Sequence, residues 1–156
     1  MRQFFDTNLL VYAHDPRHAA KREVARALAD EAMSTGGFVV STQVLAEFYS
    51  TTVRRRLLAP GDALKLIRIW SEHDVVAHTP DLIVRGIALH QDHTLSIWDA
   101  FIVQAALDAQ CDVLLTEDMQ HGRRFGELEI RNPFMAAGVH EPLAKAYGAR
   151  RSRKGR

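Results

Sequence analysis

The sequence contains one cysteine, Cys111, in 156 residues. That excludes an internal disulfide and a cysteine-rich zinc site. Its place just before an apolar run suits a small core residue. No apolar run approaches the ~20 residues that a membrane-spanning helix needs. The N-terminus lacks the basic, apolar, small-residue succession of a secretory signal, so the sequence reads as cytoplasmic. Internal repeats, low-complexity linkers, HExxH pairs, GxSxG elbows and P-loops are all missing. Several hydrolytic chemistries lose their usual carriers with them.

What remains is ordinary for one globular domain with a sizeable core: 47% hydrophobic and 25% charged residues. The net charge of +1 hides an asymmetry. Arg150, Arg151, Arg153, Lys154 and Arg156 crowd the end of the chain, leaving 15 basic against 19 acidic residues before them, a body of −4. Such a body is no broad basic platform for nucleic acid. Attraction for phosphate would have to come from local patches: the tail, Arg54 to Arg56, or Arg123 with Arg124. The tail itself is expected to be a disordered, solvated end.

Short apolar runs alternate with longer helical stretches. Strands are expected at residues 2–5, 38–41, 75–78, 112–116 and 128–130. Helices are expected over 19–33, closed by Gly36 and Gly37, and from Thr42 to about Leu57. Others should run from Pro60 to about His73, from Thr79-Pro80, where N-cap and N1 chemistry meet, and from Ser96 to Gln110. This alternation predicts an α/β domain with a mainly parallel sheet. Ligands of such sheets gather beyond the carboxyl ends of the strands. The polar residues at those ends therefore matter most.

Asp6, Thr7 and Asn8 follow the first strand directly, and Asp118 stands two residues past "DVLLT", whose last residue is Thr116. An aspartate after a strand is also a common turn or N-cap residue. At about 100° per residue, Val44, Leu45, Phe48, Tyr49 and Thr52 share an apolar arc, and Glu47 lies about 60° beyond Val44. It borders the buried stripe and would equally suit a solvated flank. Asp99 closes a capping box, Ser96-Ile97-Trp98-Asp99, beside a stripe of Trp98, Phe101, Ile102 and Ala105. Capping leaves lone pairs available for a second role. If these four acids converge, their mutual repulsion demands a compensating cation. Hard oxygen ligands favour Mg²⁺ or Mn²⁺ over zinc.

The eight histidines do not offer a rival metal or acid–base site. Pro16 separates His14 from His18 and should prevent one helix from joining them. His90 and His93 suit surface or capping roles beside Asp92. An aspartyl-nucleophile phosphatase would want a second aspartate two residues after Asp6, where Asn8 stands.

Taken in order, "FFDTNLLVYA", "STQVLAEFY", "LSIWDAFIVQAA" and "LLTEDM" resemble the PIN-domain ribonucleases, and among them the VapC toxins of bacterial toxin–antitoxin pairs. The similarity runs from Arg2 to about Asn132. It implies a three-layer α/β/α domain over residues 1–140 that binds Mg²⁺ or Mn²⁺ and hydrolyses RNA, followed by a C-terminal segment, 141–156. By position, the resemblance makes Asp6, Glu47 and Asp99 metal carboxylates and Asp118 a fourth acid acting directly or through water. Glu117 is the alternative for that fourth place. Thr116 would be the hydroxyl beside that fourth acid and Asn8 the amide that steadies the first carboxylate, Asp6, with Thr7 a candidate for the same supporting shell. The implied products are a 5′-phosphate and a 3′-hydroxyl. The implied partners are RNA, a homodimeric second copy, and a small antitoxin whose arginine could enter the acidic groove. Trp70 and Phe134 are candidate interface positions if exposed, and core residues otherwise. A non-catalytic nucleic-acid or protein-binding module on the same fold would need no cation.

Overall fold

The computed structural model describes residues 1–136. The basic tail and the expected boundary at residue 140 lie outside the described residues.

The chain begins with β1 (Gln3–Phe5), a fully buried strand. A short helix follows at once, α1 (Thr7–Tyr12), with every residue buried. A 3-10 turn at Pro16–His18 then leads into α2 (Ala19–Thr35). Gly36 ends α2 in the left-handed conformation at φ 73°, which only glycine adopts without strain. Next come β2 (Phe38–Ser41), α3 (Thr42–Arg54) and α4 (Pro60–Trp70). β3 (Asp74–Val76) precedes α5 (Pro80–Asp92) and α6 (Ile97–Asp108). The described chain closes with β4 (Val113–Leu115), β5 (Arg124–Phe125), β6 (Leu128–Arg131) and α7 (Pro133–Ala136).

The strands form one sheet in the order β3-β2-β1-β4-β6-β5. All pairings are parallel except that of β5 with β6. After β1 the chain steps outward through β2 to β3, then returns to the other side of β1 as β4. Because crossovers of parallel strands are right-handed, reversing direction puts the following helices on the opposite face. Accordingly α1 packs against α2 and α3, and α3 against α4, whereas α5 pairs with α6. The result is the expected three-layer α/β/α arrangement. The reversal also makes the β1/β4 boundary the topological switch point, where the crevice of such sheets opens.

Local chemistry explains the helix starts. Ser41 caps α3 by accepting from the Val44 amide, Thr79 caps α5 through the Leu82 amide, and Ser96 caps α6 through the Asp99 amide. Helix α6 is apolar almost all round, with Ala100 to Ala106 buried, as befits a helix covered on several sides. No helix among the described residues is long and apolar enough to cross a membrane.

Several sequence expectations need correction. Helix α1 was not anticipated, because six residues with a polar start carry too little periodicity to show. The hairpin strand β5 and the short α7 were missed for the same reason. Trp70 and Phe134 are core residues, 3% and 2% exposed, so neither offers an interface. Trp70 packs edge-on against Phe48 at 4.6 Å, and Phe134 against Tyr12 at 5.3 Å. Conversely, Tyr49 and Trp98, placed on apolar stripes by the helical wheel, are exposed. Helix α3 is buried along a narrower arc than the wheel suggests, at Val44, Phe48 and Thr52, and Trp98 stands in the first turn of α6, ahead of its buried stretch. Cys111 is buried, as expected, and burial pushes its thiol up to about 12.

Candidate active site

The parallel register of β1 and β4 pairs Phe5 with Leu115. The next residue on each strand, Asp6 and Thr116, therefore emerges side by side at the carboxyl edge of the sheet. The Asp6 amide donates to the Leu115 carbonyl at 3.0 Å, continuing the ladder one step past β1. Asp6 is fully buried and serves as the N-cap of α1, its Oδ1 accepting from the Thr7 amide at 2.7 Å. Its other oxygen, Oδ2, accepts from the Thr116 hydroxyl at 2.8 Å.

Thr116 is the node of the network. Its oxygen donates to Asp6 and accepts from Asn8 Nδ2 at 3.3 Å and from the Asp118 amide at 3.1 Å. One donor and two lone pairs are all that a hydroxyl offers. Asn8 Nδ2 also donates to Asp118 Oδ2 at 3.0 Å, so the amide spans the gap between the β1 and β4 ends. A second branch runs through Thr7, whose hydroxyl donates to Glu47 Oε2 at 3.2 Å. Gln43, one turn earlier on α3, donates to Glu47 Oε1 at 2.8 Å. Asp6 and Glu47 thus meet at one residue, Thr7, through its backbone and its side chain respectively.

Asp99 stands half-buried in the first turn of α6, its amide donating to Ser96 Oγ at 3.1 Å as the capping box requires. The far end of α6 lies at the opposite edge of the sheet, where Arg2 Nε donates to the carbonyl of Ala109 at 2.9 Å. Helix α6 packs against β2 and β4, so its first turn lies toward the edge that carries Asp6 and Thr116.

Glu117 faces elsewhere. Its carboxylate accepts from Tyr12 OH at 2.8 Å and from Lys21 Nζ at 2.9 Å. Between the two adjacent acids, Asp118 is the one bonded into the Asp6 network. Gln43, Tyr12 and Lys21 were not singled out in the sequence. Only Gln43 carried a readable signal, its i, i+4 spacing to Glu47 on an expected helix.

His78 lies close enough to Glu47 to feel its charge: burial lowers its pKa, and Glu47 partly offsets that. His14, His18, His90 and His93 play the parts expected of them. His93 ends α5, His90 Nδ1 lies 2.7 Å from the Leu95 carbonyl, and the 3-10 turn at Pro16 divides His14 from His18.

Among the described residues, no group of three or more His, Cys, Asp or Glu side chains is disposed to hold a metal ion. The donor set at the β1/β4 edge is nevertheless all oxygen and amide. Two buried amide oxygens beside it, Asn8 Oδ1 and Gln43 Oε1, have no hydrogen-bond donor. Acceptors in that state suit a hydrated cation. Mg²⁺ in particular binds through one or two carboxylates and keeps several waters, where a closed protein cage would strip them. The residues present fit such an ion.

A buried carboxylate and its hydroxyl and amide supports at the switch point of a three-layer α/β/α sheet define a class of acidic-site α/β domains. The chain belongs to the PIN domain family, whose model matches residues 4–125. PIN domain nucleases generally use divalent metal ions. No curated protein matches the sequence significantly. Solved structures share the fold. A toxin–antitoxin complex from Klebsiella pneumoniae aligns at a TM-score of 0.61 and 18% identity, covering 84% of this chain and 97% of that one. VapBC2 from Rickettsia felis, bound to a DNA fragment from their promoter, aligns at 0.58 and 18%, covering 85% and 98%. VapC20 from Mycobacterium tuberculosis, a sarcin–ricin loop cleaving toxin, aligns at 0.53 and 19%, covering 90% and 99%.

Proposed function

We propose that this PIN domain is a Mg²⁺- or Mn²⁺-dependent endoribonuclease and the toxin of a toxin–antitoxin pair. The observation that carries the reading is the bridge from Asp6 through Thr116 and Asn8 to Asp118 at the switch point. Capping and turn-making alone would not require Asn8 to bond both the buried hydroxyl that holds Asp6 and the carboxylate of Asp118, 112 residues from Asp6 in sequence. The toxin setting is supported by the solved structures that share the fold.

Asp6, Glu47, Asp99 and Asp118 would hold the ion or ions. When bound, a divalent ion lowers the pKa of a water, polarises the phosphoryl oxygen and neutralises the leaving group. The chain's own contribution is positional. Thr116 and the Thr7 amide fix both oxygens of Asp6, while Thr7 and Gln43 fix those of Glu47. Asn8 aims Asp118. An acid held this way keeps its free lone pairs in one direction, which positions an ion without reorganisation. No histidine base is needed, because a carboxylate can take the proton from the attacking water. The partners that follow from this reading are RNA, a cognate antitoxin and a second copy of the chain, all in the cytoplasm.

The test is cleavage of single-stranded RNA by purified protein, with Asp6→Asn as control. Cleavage should stop with EDTA and return with excess Mg²⁺ or Mn²⁺. Activity that survives thorough chelation removes the metal mechanism. A protein that binds RNA or a partner equally well with or without metal, and cleaves nothing, is the non-catalytic module instead.

A further inference from the structure

We infer that Tyr12 and Lys21 form a positioning device that grips Glu117 and thereby sets Asp118 in the acidic site, an inference that rests on the proposed role of Asp118. Glu117 and Asp118 are consecutive residues just past β4, and their carboxylates are held by different partners. Asp118 is held by Asn8 at 3.0 Å, and Glu117 by Tyr12 at 2.8 Å. Asn8 and Tyr12 lie four residues apart on α1, one helical turn. The turn after β4 is therefore gripped by one helix face at two successive points. Neither acid can shift along that face without dragging the other.

Lys21 on α2 makes the grip costly to release. Its ammonium lies 2.9 Å from Glu117 Oε2 and 3.4 Å from Tyr12 OH. It also sits over the rings of Tyr12 at 4.6 Å and Phe134 at 5.1 Å. The side chains of Lys21 and Glu117 are only 2% and 4% exposed. A buried pair of this kind adds little net stability compared with apolar residues, but breaking it leaves a charge stranded away from water. The pair thus holds geometry more than it holds the fold together, and the geometry it holds is that of residue 118.

The test uses Tyr12→Phe, which removes one hydroxyl and keeps the ring packed on Phe134, together with Glu117→Gln. Two readouts are taken: Mn²⁺ affinity by calorimetry, and the NMR resonances of the Asn8 side-chain amide, which reports on Asp118 with no metal present. Tyr12→Phe should weaken Mn²⁺ binding about tenfold, as for loss of an outer-shell partner, and should have no further effect in an Asp118→Asn background. Both single variants should shift the Asn8 amide as Asp118→Asn does. Equal weakening in the Asp118→Asn background, or an unmoved Asn8 amide in a folded variant, overturns the inference. If wild type binds no Mn²⁺, the proposed function falls, and the Asn8 amide alone still decides the positioning.

Discussion

The hydroxyl of Thr116 donates to Asp6 Oδ2 at 2.8 Å, joining residues 110 positions apart at the ends of two neighbouring strands. Both residues are completely buried. Thr116→Val keeps the shape and removes this donor, together with the acceptor used by Asn8 and the Asp118 amide. Stranding buried polar groups should cost about 1–3 kcal/mol, read as a lower urea midpoint. Mn²⁺ affinity measured by calorimetry should fall at least about tenfold. An unchanged affinity would show that Thr116 does not organise the acids.

Divalent ions should stabilise the native state, since a ligand that binds only the folded form shifts the equilibrium by mass action. At a hundredfold excess over the dissociation constant the gain is about 2.7 kcal/mol, or roughly 5–10 °C in Tm for a domain of this size. Asp6→Asn and Asp99→Asn should lose the response in a thermal melt. If both variants respond as wild type does, the ion binds somewhere else.

Burial, aided by the charge of Arg26, pushes the His14 pKa down from 6.5 to about 4. The ring packs between Phe48 and Trp70 at 5.7 and 6.3 Å. Between those two pH values the unfolded chain binds a proton that the folded chain rejects, so stability rises with pH there. The His14 contribution is complete above pH 6.5 and is lost as pH falls toward 4. His14→Phe should flatten this part of a stability–pH curve measured by urea unfolding. A curve of unchanged slope would assign the acid sensitivity to other groups.

At Gly86, α5 packs against the Phe101 ring of α6 with no room for a side chain. A Cβ there would lie 2.5 Å from Phe101 Cδ1 and 3.0 Å from Cε1. Gly86→Ala should therefore destabilise by about 1–3 kcal/mol through overpacking, despite the gain of about 1 kcal/mol in helix propensity. Chemical denaturation measures the balance. A more stable variant would mean that the Phe101 ring can move aside without loss.

How much of this was legible in the sequence differs from element to element. The strands around Phe4, Val39 and Leu114 announced themselves as short apolar runs, and Thr79-Pro80 and Ser96 as helix starts, because capping and burial are local. The wheel failed at Tyr49 and Trp98, since it places a residue on a helix face without knowing what covers that face. Trp70 and Phe134 could be read either way until the neighbouring aromatic rings were seen. Asp6 and Asp118 were legible as strand-end acids. The choice between Glu117 and Asp118 was not, because adjacent residues past a strand have no preset direction.

By itself the sequence determined the α/β alternation, the polar residues at the strand ends and the caps that start the helices. These depend on interactions within a few residues, which periodicity and residue type encode. Only the tertiary structure decided which of those polar residues meet. The pairing of Phe5 with Leu115 brings Thr116 to Asp6, and the reach of Tyr12 and Lys21 turns Glu117 away from that edge. Such contacts join residues about a hundred positions apart, and their partners are selected by strand register and helix packing, which no local pattern specifies.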